Sequence, residues 1–524
     1  MSTHRIRLTL LSSLLCSLLA STATADVKTP AIFGSGMVLQ REIDVPVWGW
    51  ADAGEEVTVS FRDQKVSTKA GNDGKWQVKL KPLKVGQPGT LTVAGKNKLE
   101  FKDVLVGEVW VCSGQSNMGW SIARGLDADL EAAAAQDPDV RLFQVPLTTA
   151  ETPQEDVNAE WRTAAPDNVS SFSAVGYLYG RQLHHTLRVP VGVIMTAWGG
   201  TRAEAWTSPE AMAKTEALKP IVDAWDERAA KYDAAKAKAQ FDTAMKSWTE
   251  RAAKAKAAGK RAPRRPQMQG PPRKDRHHYS TLYNAMVAPL TPYAIRGAIW
   301  YQGESNAGRA EQYRTLMPTM IQSWRDAWGQ GDFHFYQVQL ANFMAITDKP
   351  EESAWAELRE AQVMAGDAIP NVDAVCITDI GAAKDIHPKD KQNVAKRLAR
   401  LALVDIHGMK SITRSGPTYK SMEVKGNKVI VTFENQGSPL VSYYNEPLTG
   451  FAIAGKDKQW VWGTAKITSA NTVEVSSPEV KEPVAVRYNW ANNPQGTLYN
   501  AAYLPAYPFR SDDWKGVTVG AVTP

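Results

Sequence analysis

Between residues 104 and 381 the chain repeats one pattern six times, and few folds accommodate it. A short, nearly continuous apolar run ends in a polar or Gly-rich loop. The runs are VLVGEVWVCSG (104–114), VRLFQVP (140–146), VPVGVIMTAWGG (189–200), RGAIWYQGES (296–305), FHFYQVQLA (333–341) and VDAVCITDIG (372–381). A run with no alternation belongs to a strand buried on both faces. Stretches such as SAVGYLYGRQLHHTL (173–187), AEQYRTLMPTMIQSWRDAW (310–328) and KQNVAKRLARLALVDI (391–406) lie between or after them. The last has Val394, Leu398 and Leu401 at helical spacing. Buried strands separated by helices predict an α/β fold with a parallel sheet covered on both faces. In such sheets, reactive groups gather just past the carboxyl ends of the strands.

The flanks follow another rule. Residues 26–103 hold alternating runs such as EVTVSF, with a turn at Asn72-Asp73-Gly74, and predict a small β-sandwich. Residues 409–524 hold NKVIVTFEN, GFAIAG, NTVEVSS and PVAVRYNW and predict a second β-rich domain. The α/β domain is then expected over 104–408. Residues 209–278 break its pattern. They are Ala- and Lys-rich, end in the Pro-rich arm RAPRRPQMQGPPRKDR, and predict a basic helical insertion.

Residues 1–25 read as a signal peptide. Arg5 and Arg7 precede the apolar segment Leu8–Ala20, and Ala23-Thr24-Ala25 forms a cleavage site. The expected product is exported, periplasmic or secreted, with no membrane anchor after cleavage. Cys112 and Cys376 then remain, each inside an apolar run, and are expected to be packed thiols rather than a bridge. The formal net charge of +6 is unevenly placed. The insertion alone holds 17 Lys and Arg against 9 Asp and Glu, so the remainder, reactive loops included, reads as mildly acidic. An exported chain with a local basic appendage and no recognition motif does not read as a nucleic-acid binder.

Four strand ends carry loops suited to chemistry. Ser116 in Gly114-Gln115-Ser116-Asn117-Met118 follows the first run. A Ser there presents its hydroxyl and its own N–H together, or it caps the next helix. Trp198-Gly199-Gly200-Thr201 offers backbone N–H groups to a ligand, or is a plain turn. In Trp300-Tyr301-Gln302-Gly303-Glu304-Ser305-Asn306, Gln302 or Asn306 can donate an amide, and Glu304 can orient a His or bind a hydroxyl. In Asp385-Ile386-His387-Pro388 the acid and the imidazole lie two apart on an extended segment and can face one side, with Pro388 opening the next helix. Nucleophile, base, orienter and oxyanion donors are the parts of an acyl-transfer site.

In order, GQSNM, WGGT, WYQGESN and DIHP resemble the motifs of the SGNH-hydrolase carbohydrate esterases, above all the sialate O-acetylesterase family and relatives acting on acetylated plant polysaccharides. The flanking strings FSAVGYLYGRQLH, TRAEAWTS and STLYNAMVAPL and the terminal PAYPFRSDDW extend the resemblance. It implies a three-layer esterase domain that hydrolyses O-acetyl esters on sugars without metal or cofactor. It also implies Ser116 as nucleophile, His387 as general base and Gly200 as an oxyanion donor. The wider pattern has an Asn where Ser305 stands, so Gln302 becomes the second donor. It places its Asp three residues before the His, where this chain has Lys384. Asp385 is therefore the first choice of orienter, Glu304 the second and Asp379 the third. Gln115, Asn117, Trp120, Arg202 and Trp206 are candidate sugar contacts. The substrate expectation leans to acetylated xyloglucan or xylan, with sialate 9-O-acetyl esters as the alternative. A carbohydrate-binding protein that has kept the fold without catalysis is the reading from another class.

Overall fold

The computed structural model describes residues 26–523. The signal-peptide expectation falls on residues 1–25, outside them. The chain is mixed α/β, with a central mixed sheet and separate antiparallel sheets in the C-terminal region. The central strands run in the order Val372–Val375, His334–Val338, Gly297–Tyr301, Lys98–Gly114, Val191–Ala197, Asp137–Gln144, Trp161–Ala164. All neighbours are parallel except the last pair, where Trp161–Ala164 adds an antiparallel edge.

Side chains of the middle strand show why its run is mostly apolar. Val109 and Val111 enter one core with Ala298, Trp300 and Phe335, beneath the helices Ala310–Trp328 and Ala354–Ala368. Trp110 and Cys112 enter another, with the helices Ala174–Leu187 and Lys391–Asp405. Each face is thus removed from water by a helical pair, which is what an unbroken hydrophobic strand needs.

The expected boundary at 103/104 falls inside a single 17-residue strand, Lys98–Gly114. Its first part pairs antiparallel with Gly89–Ala94, and Leu105–Gly107 pair in parallel with Val38–Gln40. Its last part pairs with the two neighbours in the central sheet. The N-terminal strands therefore lead directly into the strand that ends at Ser116. The C-terminal region folds around its own core, with Val431, Phe433, Ile453, Val475 and Val486 fully buried.

The insertion is helical, at Pro209–Lys214, Lys219–Ala230 and Ala234–Ala257. The 24-residue helix buries only Ala237. Its Pro-rich arm folds back on it, with Trp248 Nε1 donating to Pro263 O at 2.8 Å and the Tyr232 hydroxyl donating to Gln269 O at 3.2 Å. Cys112 and Cys376 are both buried and free. The helix after His387 begins at Lys391, capped by Asp390, whose carboxylate accepts from Asn393 N–H. Pro388 thus lies within the loop, two residues before the cap, and does not open the helix.

Candidate active site

Strand order reverses about the middle strand. Chain connections leave it first toward Asp137–Gln144 and later toward Gly297–Tyr301, which opens a crevice at its carboxyl end. Ser116 is two residues past that end. Gly114 makes the turn possible. Its φ is +135°, and a Cβ there would sit 2.3 Å from Tyr301 O, so no side chain fits. Gly199 packs against the same turn, and a Cβ on it would lie 3.3 Å from Ser116 Cβ. Among the described residues, the backbone N–H groups of Ser116, Gly199 and Gly200 have no protein acceptor. Free donors beside a hydroxyl are the raw material of an oxyanion site.

His387 Nε2 lies 2.9 Å from Ser116 Oγ. The imidazole is held by a stack on Trp120, with ring centroids 4.5 Å apart at 18°. Trp120 is fixed in turn by its own Nε1, which donates to Arg124 O at 2.7 Å, and the Arg124 guanidinium covers its ring at 3.9 Å. Asp385 sits beside the base. Its Oδ1 accepts the His387 backbone N–H at 2.9 Å and lies 3.5 Å from Nδ1. That N–H and Lys389 hold the Asp385 carboxyl below the usual aspartate range. The His387 pKa is lowered, chiefly by burial and further by the charges of Lys391 and Arg124, while Asp385 opposes the shift. A lowered imidazole pKa leaves the ring neutral near pH 7 and able to accept a proton.

The other acids are placed elsewhere. Asp379 forms a two-point pair with Arg397, at 2.6 and 2.7 Å. Glu304 makes no bond to His387. Its Oε1 accepts from Asn117 Nδ2 at 2.6 Å, its Oε2 is buried without a partner, and burial raises its pKa. Asn117 is a junction rather than a sugar contact. Its Nδ2 also donates to Ile386 O at 3.1 Å, and its Oδ1 accepts from Lys391 Nζ at 2.6 Å. One buried carboxamide therefore joins the serine loop, the Glu304 loop and the histidine loop. Burial drives the Lys391 pKa down to about 7.

Gln302 is fully buried, and both amide hydrogens are engaged, on Thr201 O at 3.2 Å and Asn306 Oδ1 at 2.6 Å. Its carbonyl accepts from the Tyr313 hydroxyl at 3.1 Å. It has no hydrogen left for an oxyanion, which corrects the expectation drawn from Ser305. Asn306 is similarly occupied, since its Nδ2 donates to Glu204 Oε2 at 2.9 Å and its Oδ1 accepts the Ala203 N–H at 3.0 Å. Arg309 completes this buried set against Glu204 Oε1 at 2.5 Å. Trp206 is also corrected. It is fully buried, bonded through Nε1 to Thr201 Oγ1 at 3.0 Å and packed edge-on against Trp300, so it does not face a cleft. Gln115 is 3 % exposed, with its side-chain oxygen unpartnered.

On the Gly200 side stand Arg202, already a candidate sugar contact, and Arg276, which no motif marked. Arg276, from the end of the insertion, reaches within 4.0 Å of where a Gly200 Cβ would be and lies over the Trp198 ring. Arg202, two residues past Gly200, is half-buried, and burial lowers its pKa. Lys391 likewise gave no sequence signal, because only the fold brings a helix-start lysine under Asn117.

The family model described as carbohydrate esterase, sialic acid-specific acetylesterase matches residues 106–241 and 265–403. The chain belongs to this family. The esterase is 29% identical to the sialate O-acetylesterase of Rattus norvegicus over 516 residues, covering 90% of this chain and 92% of the relative. It is 28% identical to the enzyme of the same name from Homo sapiens, covering 90% of each. A solved carbohydrate acetylesterase from Xanthomonas citri is 35% identical, with a TM-score of 0.79, covering 93% of this esterase and 100% of that chain. Between the two matched stretches, residues 242–264 cover most of the long helix after its start and the first residues of the arm.

Proposed function

We propose that the esterase removes acetyl groups from sugar hydroxyls through an acetyl-enzyme on Ser116. The observation that carries this is the 2.9 Å contact between Ser116 Oγ and His387 Nε2, at the strand end where Gly199 meets the same serine. Ser116 Oγ attacks the acetyl carbonyl carbon as His387 takes its proton. The resulting oxyanion is met by the N–H groups of Ser116 and Gly200. As it collapses, the ester C–O bond breaks and His387 protonates the departing sugar oxygen. Water, deprotonated by His387, then attacks the acetyl-serine, and acetate leaves as Ser116 regains its proton. Asp385 favours the imidazolium through charge and fixes the His387 backbone, a role like that of a triad acid. Glu304 and Asp379 are not given this role, because their oxygens face other partners.

The substrate has two readings. The motif loops by themselves hold no pair of arginines, which suits neutral acetylated chains such as xyloglucan or xylan. A specific observation favours an anionic sugar, the sialate reading. Arg124 covers the Trp120 ring that stacks on His387, Arg276 reaches the Gly200 turn, Arg202 follows that turn in the chain, and among the described residues none of the three has an acidic partner within ion-pair distance. Unpaired guanidiniums at a cleft are suited to a carboxylate. Acetate release from 9-O-acetyl sialic acid, acetylated xyloglucan and acetylated xylan, compared side by side, tests the choice. Faster release from the sialate, lost in Arg202→Ala with Arg276→Ala, supports the anionic reading, and a preference for the neutral chains refutes it. No release from any of them by a folded chain would favour a binding protein without catalysis. The export expectation is carried forward as a proposal on the N-terminal segment.

A further inference from the structure

We propose that a groove between the C-terminal region and the loop 342–348 binds neutral pyranose units of the glycan that carries the acetyl ester. The inference rests on the carbohydrate reading of the site above. It adds a second contact zone, outside the catalytic cleft, for sugar residues that are not acetylated.

The groove has a volume of about 340 Å³ and is lined mainly by Ile346, Leu448, Phe451, Trp462, Thr449 and Gln495. That is the small end of ligand clefts, which run from about 300 to 1,000 Å³. Two apolar side chains on its wall are open to water, Ile346 at 59 % and Trp462 at 42 %. Exposed indole is uncommon on a soluble surface without a partner. This indole is also held still, because its Nε1 donates to Asp348 O at 2.8 Å. A part-exposed ring already fixed by a hydrogen bond loses less entropy on binding than a free one. The C–H face of a pyranose is apolar and weakly positive, so it complements the negative face of the ring.

The polar groups fit the same ligand. Thr449 and Gln495 stand beside the apolar wall, and the Gln495 side-chain oxygen has no partner among the described residues. No lysine or arginine lines the groove, and its one charged residue is Asp348. A fatty chain would need an apolar lining throughout, and a charged peptide would need counter-charges. A neutral sugar needs one flat apolar face and a few amides and hydroxyls.

The groove is tied to the catalytic loop. Asn493 on its wall donates through Nδ2 to Met344 O at 2.7 Å and accepts from Asn342 Nδ2 at 3.0 Å. Asn342 Oδ1 in turn accepts the Gly381 N–H at 2.6 Å. Gly381 lies in the loop that runs on to Asp385 and His387. Two hydrogen bonds therefore connect the groove wall to the loop of the general base.

The test uses the full chain with Trp462→Ala and Trp462→Phe. Hydrolysis of acetylated glycans is compared with hydrolysis of a small acetyl ester. Trp462→Ala should raise KM for the glycan roughly tenfold with kcat unchanged, and should leave the small ester untouched. Trp462→Phe should recover most of the loss. Calorimetry on the Ser116→Ala chain measures binding without turnover, using a deacetylated xyloglucan oligosaccharide in one arm and a sialylated oligosaccharide with a neutral core in the other. Trp462-dependent binding in either arm supports the subsite and names the source of the sugar. An unchanged glycan KM in Trp462→Ala overturns the proposal, as does equal damage to glycan and small-ester turnover in both variants. Trp462-dependent binding together with no ester hydrolysis by the folded chain with Ser116 intact would refute the esterase mechanism and leave the subsite standing.

Discussion

The loops at residues 114–118 and 300–306 both follow buried strands, both carry polar side chains, and they do opposite things. In the first, Ser116 keeps its hydroxyl on His387 and its backbone N–H unbonded. In the second, Gln302 and Asn306 are fully bonded among Thr201, Ala203, Glu204 and Tyr313. Position at a strand end gives a residue access to the crevice. Unused hydrogen-bonding capacity is what gives it chemistry there, and only the folded chain shows that difference.

Substitutions should separate the two loops. Ser116→Ala removes the nucleophile and should lower kcat for deacetylation by about 10⁴-fold or more, with the melting temperature nearly unchanged. A smaller loss in acetate release would break the contrast. Asn306→Ala should do the reverse. It strips partners from Gln302, Glu204 and the Ala203 N–H, and each buried group left unsatisfied costs about 1–3 kcal/mol. Denaturant unfolding should report a loss of roughly 3 kcal/mol or more, with activity falling only as folded protein is lost.

Asp385→Asn sits between these cases. Its carboxylate is half-exposed and 3.5 Å from Nδ1, so the rate should fall by only about tenfold, far less than for a buried and bonded triad acid. The pH profile carries the sign. His387 must be neutral to act as base, so kcat/KM falls as pH drops through its lowered pKa. Asp385 raises that pKa, so its loss should move the acid limb to lower pH. Arg124 lowers it, so Arg124→Ala should move the limb up. Limbs that stay fixed in both variants would show that the charges around His387 do not tune it. The smallest effect is expected for Trp206→Phe, which should cost about 1–2 kcal/mol of stability and leave KM unchanged, because Trp206 packs in the core.

The sheet and its helices were legible because an apolar run and a 3.6-residue period are local signals. Expected helices such as 310–328 match the observed Ala310–Trp328. The antiparallel edge at Trp161–Ala164 was not legible, since four residues carry too little pattern. Ser116 and His387 could be read from their loops, while their meeting across 271 positions was implied only by the family resemblance. Trp206 misled because nearness in sequence to WGGT says nothing about facing. Lys391, Arg124 and Arg276 were invisible for the same reason, as ordinary basic residues that acquire a role only from what the fold sets beside them.

Covalent labelling asks about Ser116 most directly. The chain is treated with a serine-directed phosphonate and the adduct is mapped by peptide mass. The mechanism predicts one adduct, on Ser116, whose formation parallels the loss of acetate release and which is absent from His387→Ala at neutral pH. An adduct on another serine that parallels the loss, or full activity after Ser116 is modified, would contradict it.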